Sequence, residues 1–139
     1  MKDDGIELIL VGAIVPKARP RVTRSGHAYL PSSYAHWKRA AIAQLTGQWR
    51  GGPIDQPVAI GIILTGRHSR RGDCDNISGA VLDALVQSQI LIDDNLIHVP
   101  QLGVRLEYGN QPPIATVKLI KMPTKNSGQK NILERLMSV

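Results

Sequence analysis

Two short acidic clusters carry the clearest chemical signal in this 139-residue sequence. The first lies in RRGDCDNISGAVLDAL, where Asp73 and Asp75 stand two residues apart directly after a basic loop. The second is the run Asp93, Asp94, Asn95 that follows. If the backbone at 73–75 is extended, both carboxylates project from one face and Cys74 takes the other. Two carboxylates a few ångströms apart repel unless a proton or a cation sits between them. Magnesium is the natural partner, because it prefers hard oxygen ligands and keeps several waters.

Each cluster also has a plain structural explanation. Asp75 and Asn76 fall where a helix begins, and one capping aspartate needs no metal. A second aspartate on the same face is harder to account for that way. Asp93, Asp94 and Asn95 are ordinary turn residues. The helix between the clusters spans roughly 20 Å, so Asp94 meets Asp75 only if the chain runs back, which the residues alone do not establish. Asn76, Gly79 and Asp83 share one side of that helix, making Asn76 and Asp83 candidate supports for the carboxylates, with Asp93 a third. Other chemistries fit less well. An aspartyl phosphatase places its DxD straight after an apolar strand, whereas RHSRRG intervenes here, and DxD glycosyltransferases are much larger chains. There is no zinc spacing of Cys and His, no histidine partner for a Cys74 nucleophile, and no Walker-type phosphate loop.

The charge distribution supports a polyanionic partner. The net charge is +6, and it is uneven. Residues 1–71 hold eleven Lys or Arg against four Asp or Glu, while 72–112 hold Arg105 against six acids. An acidic island in a basic chain is what a cation site inside an anion-attracting surface requires. The 42% apolar content is enough for one core, which must be built from Ile, Leu, Val and Ala because Phe is absent. The lone Cys74 excludes an intrachain disulfide and accords with a reducing, cytoplasmic setting. MKDDGIELIL lacks a signal-peptide layout, and no apolar stretch is long enough to span a bilayer, so no membrane partner is expected.

The elements that must position these residues follow from periodicity. Residues 6–15 read as a strand ended by Pro16, and PKARPRVTRSGHAYLP as a basic arm or loose hairpin turning at Ser25 and Gly26. A helix over about 34–49 is expected, capped by Ser32 or Ser33, with Trp37, Ala41, Gln44, Leu45 and Gln48 on a mixed stripe. Residues 58–65, apolar or small on both faces, suit a central strand. Residues 76–88 form a second helix with Ile77, Ala80, Val81, Ala84 and Leu85 on its core stripe. Leu82 and Val86 add apolar character on another side, so cover on two sides is expected, a second subunit being one candidate. Strands over 98–107 and 114–121 complete the set, joined by the hairpin-like YGNQPP. The result is an α/β (α+β) fold with a small mixed sheet and two main helices. Residues 1–121 form one domain, and 122–139 a tail with one short docked helix near 131–137.

KARPRVTRSGHAYLP, GDCDNISGAVLDAL and IDDNLI, in that order over roughly residues 14–100, resemble the RusA endodeoxyribonucleases, which resolve four-way DNA (Holliday) junctions. The resemblance implies a small homodimer with one magnesium site per subunit, manganese being a possible substitute, and Asp73, Asp75 and Asp94 as the essential carboxylates. It implies an endonuclease of DNA recombination and repair acting on branched DNA. The family's lysine four positions after the second aspartate is Gly79 here. That departure motivates an alternative, a junction-binding protein with weak or lost cleavage. Arg70 or Arg71 could supply the missing charge. Lys17, Arg19, Arg21, Arg24, Arg67, Arg70 and Arg71 are expected to touch phosphates, and Tyr29, Tyr34, Trp37 and His68 are candidate base-stacking groups, Trp37 equally a core residue.

Overall fold

An apolar strand with almost every residue buried sets the architecture, as seen in a computed structural model describing residues 5–123. In chain order the strands are β1 (Gly5–Val11), β2 (Arg21–Val22), β3 (Ala28–Tyr29), β4 (Val58–Gly66), β5 (Gln101–Tyr108) and β6 (Ile114–Lys121). The helices are α1 (Ser32–Gln48), before β4, and α2 (Cys74–Gln87), between β4 and β5. The main sheet has the order β1-β6-β4-β5. β4 pairs antiparallel with β6 and parallel with β5. A parallel neighbour needs a crossover, and α2 supplies it. This is the mixed sheet with two helices that the periodicity predicts. The expected tail helix falls outside the described residues.

The core lies between one sheet face and the helices, and includes Leu8, Leu10, Ile60, Ile62, Leu119, Tyr34, Leu45, Val81 and Leu85. Leu82 belongs to the same cluster and Val86 packs against it, so the second apolar side of α2 is covered within the chain.

Several boundaries differ from expectation for local reasons. β1 stops at Val11, well before Pro16, because Gly12 turns the chain at φ 99° and donates to the Pro113 carbonyl at 2.9 Å. α1 begins at Ser32, with Pro31 as its N-cap and no side-chain cap bond. Ala35 donates to the Pro31 carbonyl, so the serines sit inside the first turn instead of capping it. The polar members of the mixed stripe also have a role. Gln48 both accepts from the Ile9 N–H and donates to the Ile9 carbonyl, each at 2.7 Å, and Gln44 accepts from the Val11 N–H at 2.7 Å. These glutamines satisfy the outer edge of β1, a substitute for the strand that is missing there.

The loop after β5 is not a hairpin. β5 and β6 flank β4, so the 109–113 link passes over the end of β4. Gly109 donates to the Gly66 carbonyl at 3.2 Å, and Arg67 donates to the Gln111 carbonyl at 3.0 Å. Gly66 sits at φ 92°, and a Cβ there would stand 2.5 Å from the Pro112 carbonyl oxygen. Gly66→Ala combines left-handed strain with backbone overlap, so it should destabilise the fold by about 2 kcal/mol or more, read as a lower urea midpoint. An unchanged midpoint would mean the loop simply shifts away.

Candidate functional site

The carboxyl end of β4 hands the chain to the basic loop 67–71 and then to the first turn of α2. Asp73 is the N-cap of α2, with extended backbone at φ −72° and ψ 140°. Its carbonyl accepts from the Ile77 N–H at 3.0 Å, while its carboxylate makes no capping bond. Asp75 lies inside the first turn, so 73–75 is not the extended segment that alternation requires. The helix starts two residues earlier than the sequence implies, because Asp73 rather than Asp75 takes the capping backbone geometry. Both carboxylates are nevertheless exposed at one helix N-terminus, where free N–H groups favour negative charge. The Asp75 carboxylate accepts the Asn76 backbone N–H at 3.0 Å, so Asn76 supports it through the main chain.

Asp94 is elsewhere. α2 has 14 residues, so its ends are about 20 Å apart. The following segment stays at the amino end of β4, where Val58 donates to the His98 carbonyl and Ile54 to the Ile90 carbonyl. The chain does run back, but along β5, after Asp94. Among the described residues of one chain, no three His, Cys, Asp or Glu side chains stand close enough to hold a metal ion. The adjacent acids divide their tasks. Asp93 accepts the Asp94 N–H at 2.7 Å and the Asn95 amide at 3.3 Å, building the turn itself. Asp94 is exposed.

Positive charge surrounds the Asp73 end. Arg67, Arg70 and Arg71 are exposed, and the Arg70 guanidinium lies 4.2 Å over the Tyr108 ring, a cation–π contact that fixes the loop against the end of β5. The basic arm has a fixed root and an exposed tip. Ile14 is buried and Val15 and Ala18 pack on the core, while Arg19, Arg21 and Arg24 are all exposed. Thr23 donates its backbone N–H to the His27 carbonyl at 2.9 Å and closes the β2–β3 hairpin expected at Ser25 and Gly26. Lys17, at the root, crosses α2 at Gly79.

Other expected roles change. Asp83 accepts the Tyr34 hydroxyl at 3.0 Å and the Lys38 ammonium at 3.2 Å, so it fastens α1 to α2 instead of supporting Asp75. Burial first, and then the bond to and charge of Asp83, push the Tyr34 hydroxyl far above its usual pKa and keep it a donor. Tyr34 is 1% exposed and His68 5%, so neither can stack on a base. His68 instead bonds the Ile114 carbonyl at 3.0 Å. Trp37 packs on the core and stacks on Tyr34, leaving Tyr29 as the exposed aromatic of that group.

Two features escaped sequence reasoning. Leu96 and Ile97 are 82% and 75% exposed beside the acidic turn, and Ile92 is also exposed. The signal was there in aliphatic residues directly following a turn. A cleft of about 170 Å³ adjoins Asp73 and is lined in part by Leu64, Gly72, Cys74, Ile77 and Val104.

A sequence model of the family "Endodeoxyribonuclease RusA" matches residues 12–120. The chain is 27% identical over 119 residues to "Crossover junction endodeoxyribonuclease RusA" of Aquifex aeolicus (strain VF5), covering 85% of this chain and 94% of that protein. A solved structure, "CetZ from Methanosaeta thermophila strain DSM 6194", overlays 95% of this chain and 30% of its own with a TM-score of 0.40 and 12% identity, too loose a likeness to carry inference.

Proposed function

The chain belongs to the RusA endodeoxyribonuclease family, and from that membership we propose that it resolves four-way DNA junctions by cutting two opposed strands. The observation that carries this reading is the pair Asp73 and Asp75, exposed at the first turn of α2 between the arginine loop and the root of the basic arm.

The donor set fits magnesium, with manganese as a substitute. The Asp73 carboxylate makes no capping bond, carboxylate oxygens are hard ligands, and magnesium is held by one or two carboxylates plus waters and substrate phosphates. When bound, such an ion supplies Lewis acidity and a more acidic water for phosphodiester hydrolysis. The protein's own residues do the rest. Asp73 and Asp75 would hold the ion, and one of them would accept the proton of the attacking water. Lys17, Arg19, Arg21, Arg24, Arg67, Arg70 and Arg71 offset the repulsion between these acids and DNA, and the six arginines grip phosphates without reading bases.

The third ligand in this reading is the partner's Asp94 in a homodimer. Two observations and one symmetry argument favour it. Asp94 follows the far end of α2, a helix about 20 Å long that carries Asp75 at its opposite end. Ile92, Leu96 and Ile97 beside it form an exposed apolar patch that needs cover. A twofold pair in which each subunit lends this loop to the other is self-complementary, and it presents two sites to a substrate that is itself nearly twofold.

Because binding rests on phosphate contacts, junction affinity should fall by roughly 10³-fold or more between 50 and 200 mM salt. A flat response in a mobility-shift titration would rule out the basic loops as the DNA surface. The reading itself is tested by incubating a labelled junction with Mg²⁺, beside a flap and a linear duplex. Paired nicked duplexes from the junction are expected. A junction bound but left whole in both Mg²⁺ and Mn²⁺ would instead establish the alternative, a binding protein without cleavage. No helix among the described residues is long and apolar enough to cross a membrane, and the reading places the protein with DNA in the cytoplasm.

A further inference from the structure

We infer that Lys17 is a member of the cutting site, its ammonium reaching the scissile phosphate beside Asp75, distinct from the arm residues that grip DNA at a distance. This rests on the nuclease reading above. The backbone of Lys17 is tied to the helix that carries the carboxylates, its N–H donating to the Asn76 carbonyl at 2.8 Å. Its neighbours hold that tie in place, since Ile14 is buried and Val15 and Ala18 pack on the core. The side chain is positioned as well. A Cβ built on Gly79 would stand 3.2 Å from Lys17 Cδ and 3.7 Å from Lys17 Cβ. The aliphatic stem therefore lies across α2 in the shallow saddle left by a residue without a side chain.

Gly79 is four residues after Asp75, on the same helix face and about 6 Å away. A lysine stem anchored there ends within reach of anything bound at Asp75. The helix itself offers no alternative, because Cys74–Gln87 contains neither Lys nor Arg. Charge developing on a phosphoryl group in the transition state must be met by a placed cation, and a preplaced one is worth more than a mobile one. Lys38, the lysine that reaches α2 from the other side, is committed to Asp83 at 3.2 Å. Lys17 has no ion-pair partner among the described residues, so its charge is available. The arm's arginines are exposed on the hairpin and its approach, without such an anchor.

The test separates rate from grip. Single-turnover cleavage of a four-way junction at saturating protein is measured with Mg²⁺, and junction affinity is measured without divalent cation. Lys17→Gln should lower the rate roughly 10- to 100-fold, with an affinity change below about threefold. Lys17→Arg should keep most of the rate. In the double variant Lys17→Ala/Gly79→Lys the lysine leaves α2 where the native stem already lies, so much of the lost rate should return. Equal losses of rate and affinity in Lys17→Gln would reduce Lys17 to a phosphate grip and overturn the assignment, as would no loss of rate. So would a double variant of native thermal midpoint that regains nothing. If the relocated lysine lowers that midpoint, the Gln and Arg pair on the native Gly79 background decides the matter. Failure of the native chain to cut any junction sinks the nuclease reading first, and this assignment with it. A cutting native chain indifferent to Lys17→Gln sinks the assignment alone.

Discussion

Asp75→Asn should lower junction cleavage by at least about a hundredfold while leaving junction binding intact or tighter. Losing a group that merely orients a metal ligand typically costs 10- to 100-fold, and removing a ligand should exceed that. The substitution preserves shape. The amide oxygen of the new side chain could still accept the Asn76 N–H that Asp75 accepts at 3.0 Å, so the first turn of α2 should survive. Losing one favourable charge at a helix N-terminus costs only about 0.3–1 kcal/mol of stability. The binding side has the opposite sign, because one fewer negative charge faces the phosphate backbone. Single-turnover cleavage and mobility shifts on the same preparations check both halves. Cutting at the native rate would remove Asp75 from the metal site. A matched loss of binding would make it a fold residue.

Mixing two dead chains should restore activity. In the dimer proposed above, Asp75→Asn and Asp94→Asn homodimers would each lack one ligand at both sites. In a heterodimer with ligands drawn from both subunits, one site pairs intact Asp73 and Asp75 from one chain with intact Asp94 from the other. The opposite site carries both lesions. Random assortment of equal amounts makes about half the dimers mixed, so roughly a quarter of the native sites should reappear. If each chain completed its own site, every site in the mixture would still lack a ligand, and no activity would return. Refolding or co-expressing the two variants, followed by an assay for single-strand nicking of the junction, which one intact site per mixed dimer can perform, distinguishes these outcomes by presence against absence.

Much of this arrangement was legible in the residues. β4 announced itself as central because its apolar residues occupy both faces, and it is buried nearly throughout. The core stripe of α2 was equally plain, with Ile77, Ala80, Val81, Ala84 and Leu85 all buried. What escaped reading depends on partners far along the chain. Gln44 and Gln48 look like surface residues until β1 lies beside them. His68 and Tyr34 look available for bases until the Ile114 carbonyl and Asp83 claim them. The 109–113 link looks like a hairpin because its composition is that of a turn, and composition does not reveal that β4 lies between the strands it joins. The site divided along the same line. The pair Asp73 and Asp75 is local and was visible, whereas the distance to Asp94 is set by the direction of α2.

The glutamine-lined margin of β1 bears on how far assembly can go. Its outward-facing Ile9 and Val11 amides are already occupied, so no foreign strand can be zipped onto that side without first displacing α1 side chains. Among the described residues, no helix lends glutamines to the other margin, formed by β5. A ribbon able to grow from one side only terminates after a single addition. Strand-by-strand stacking into filaments would need both margins open, so any pairing through this sheet would be confined to β5 and could join two copies only.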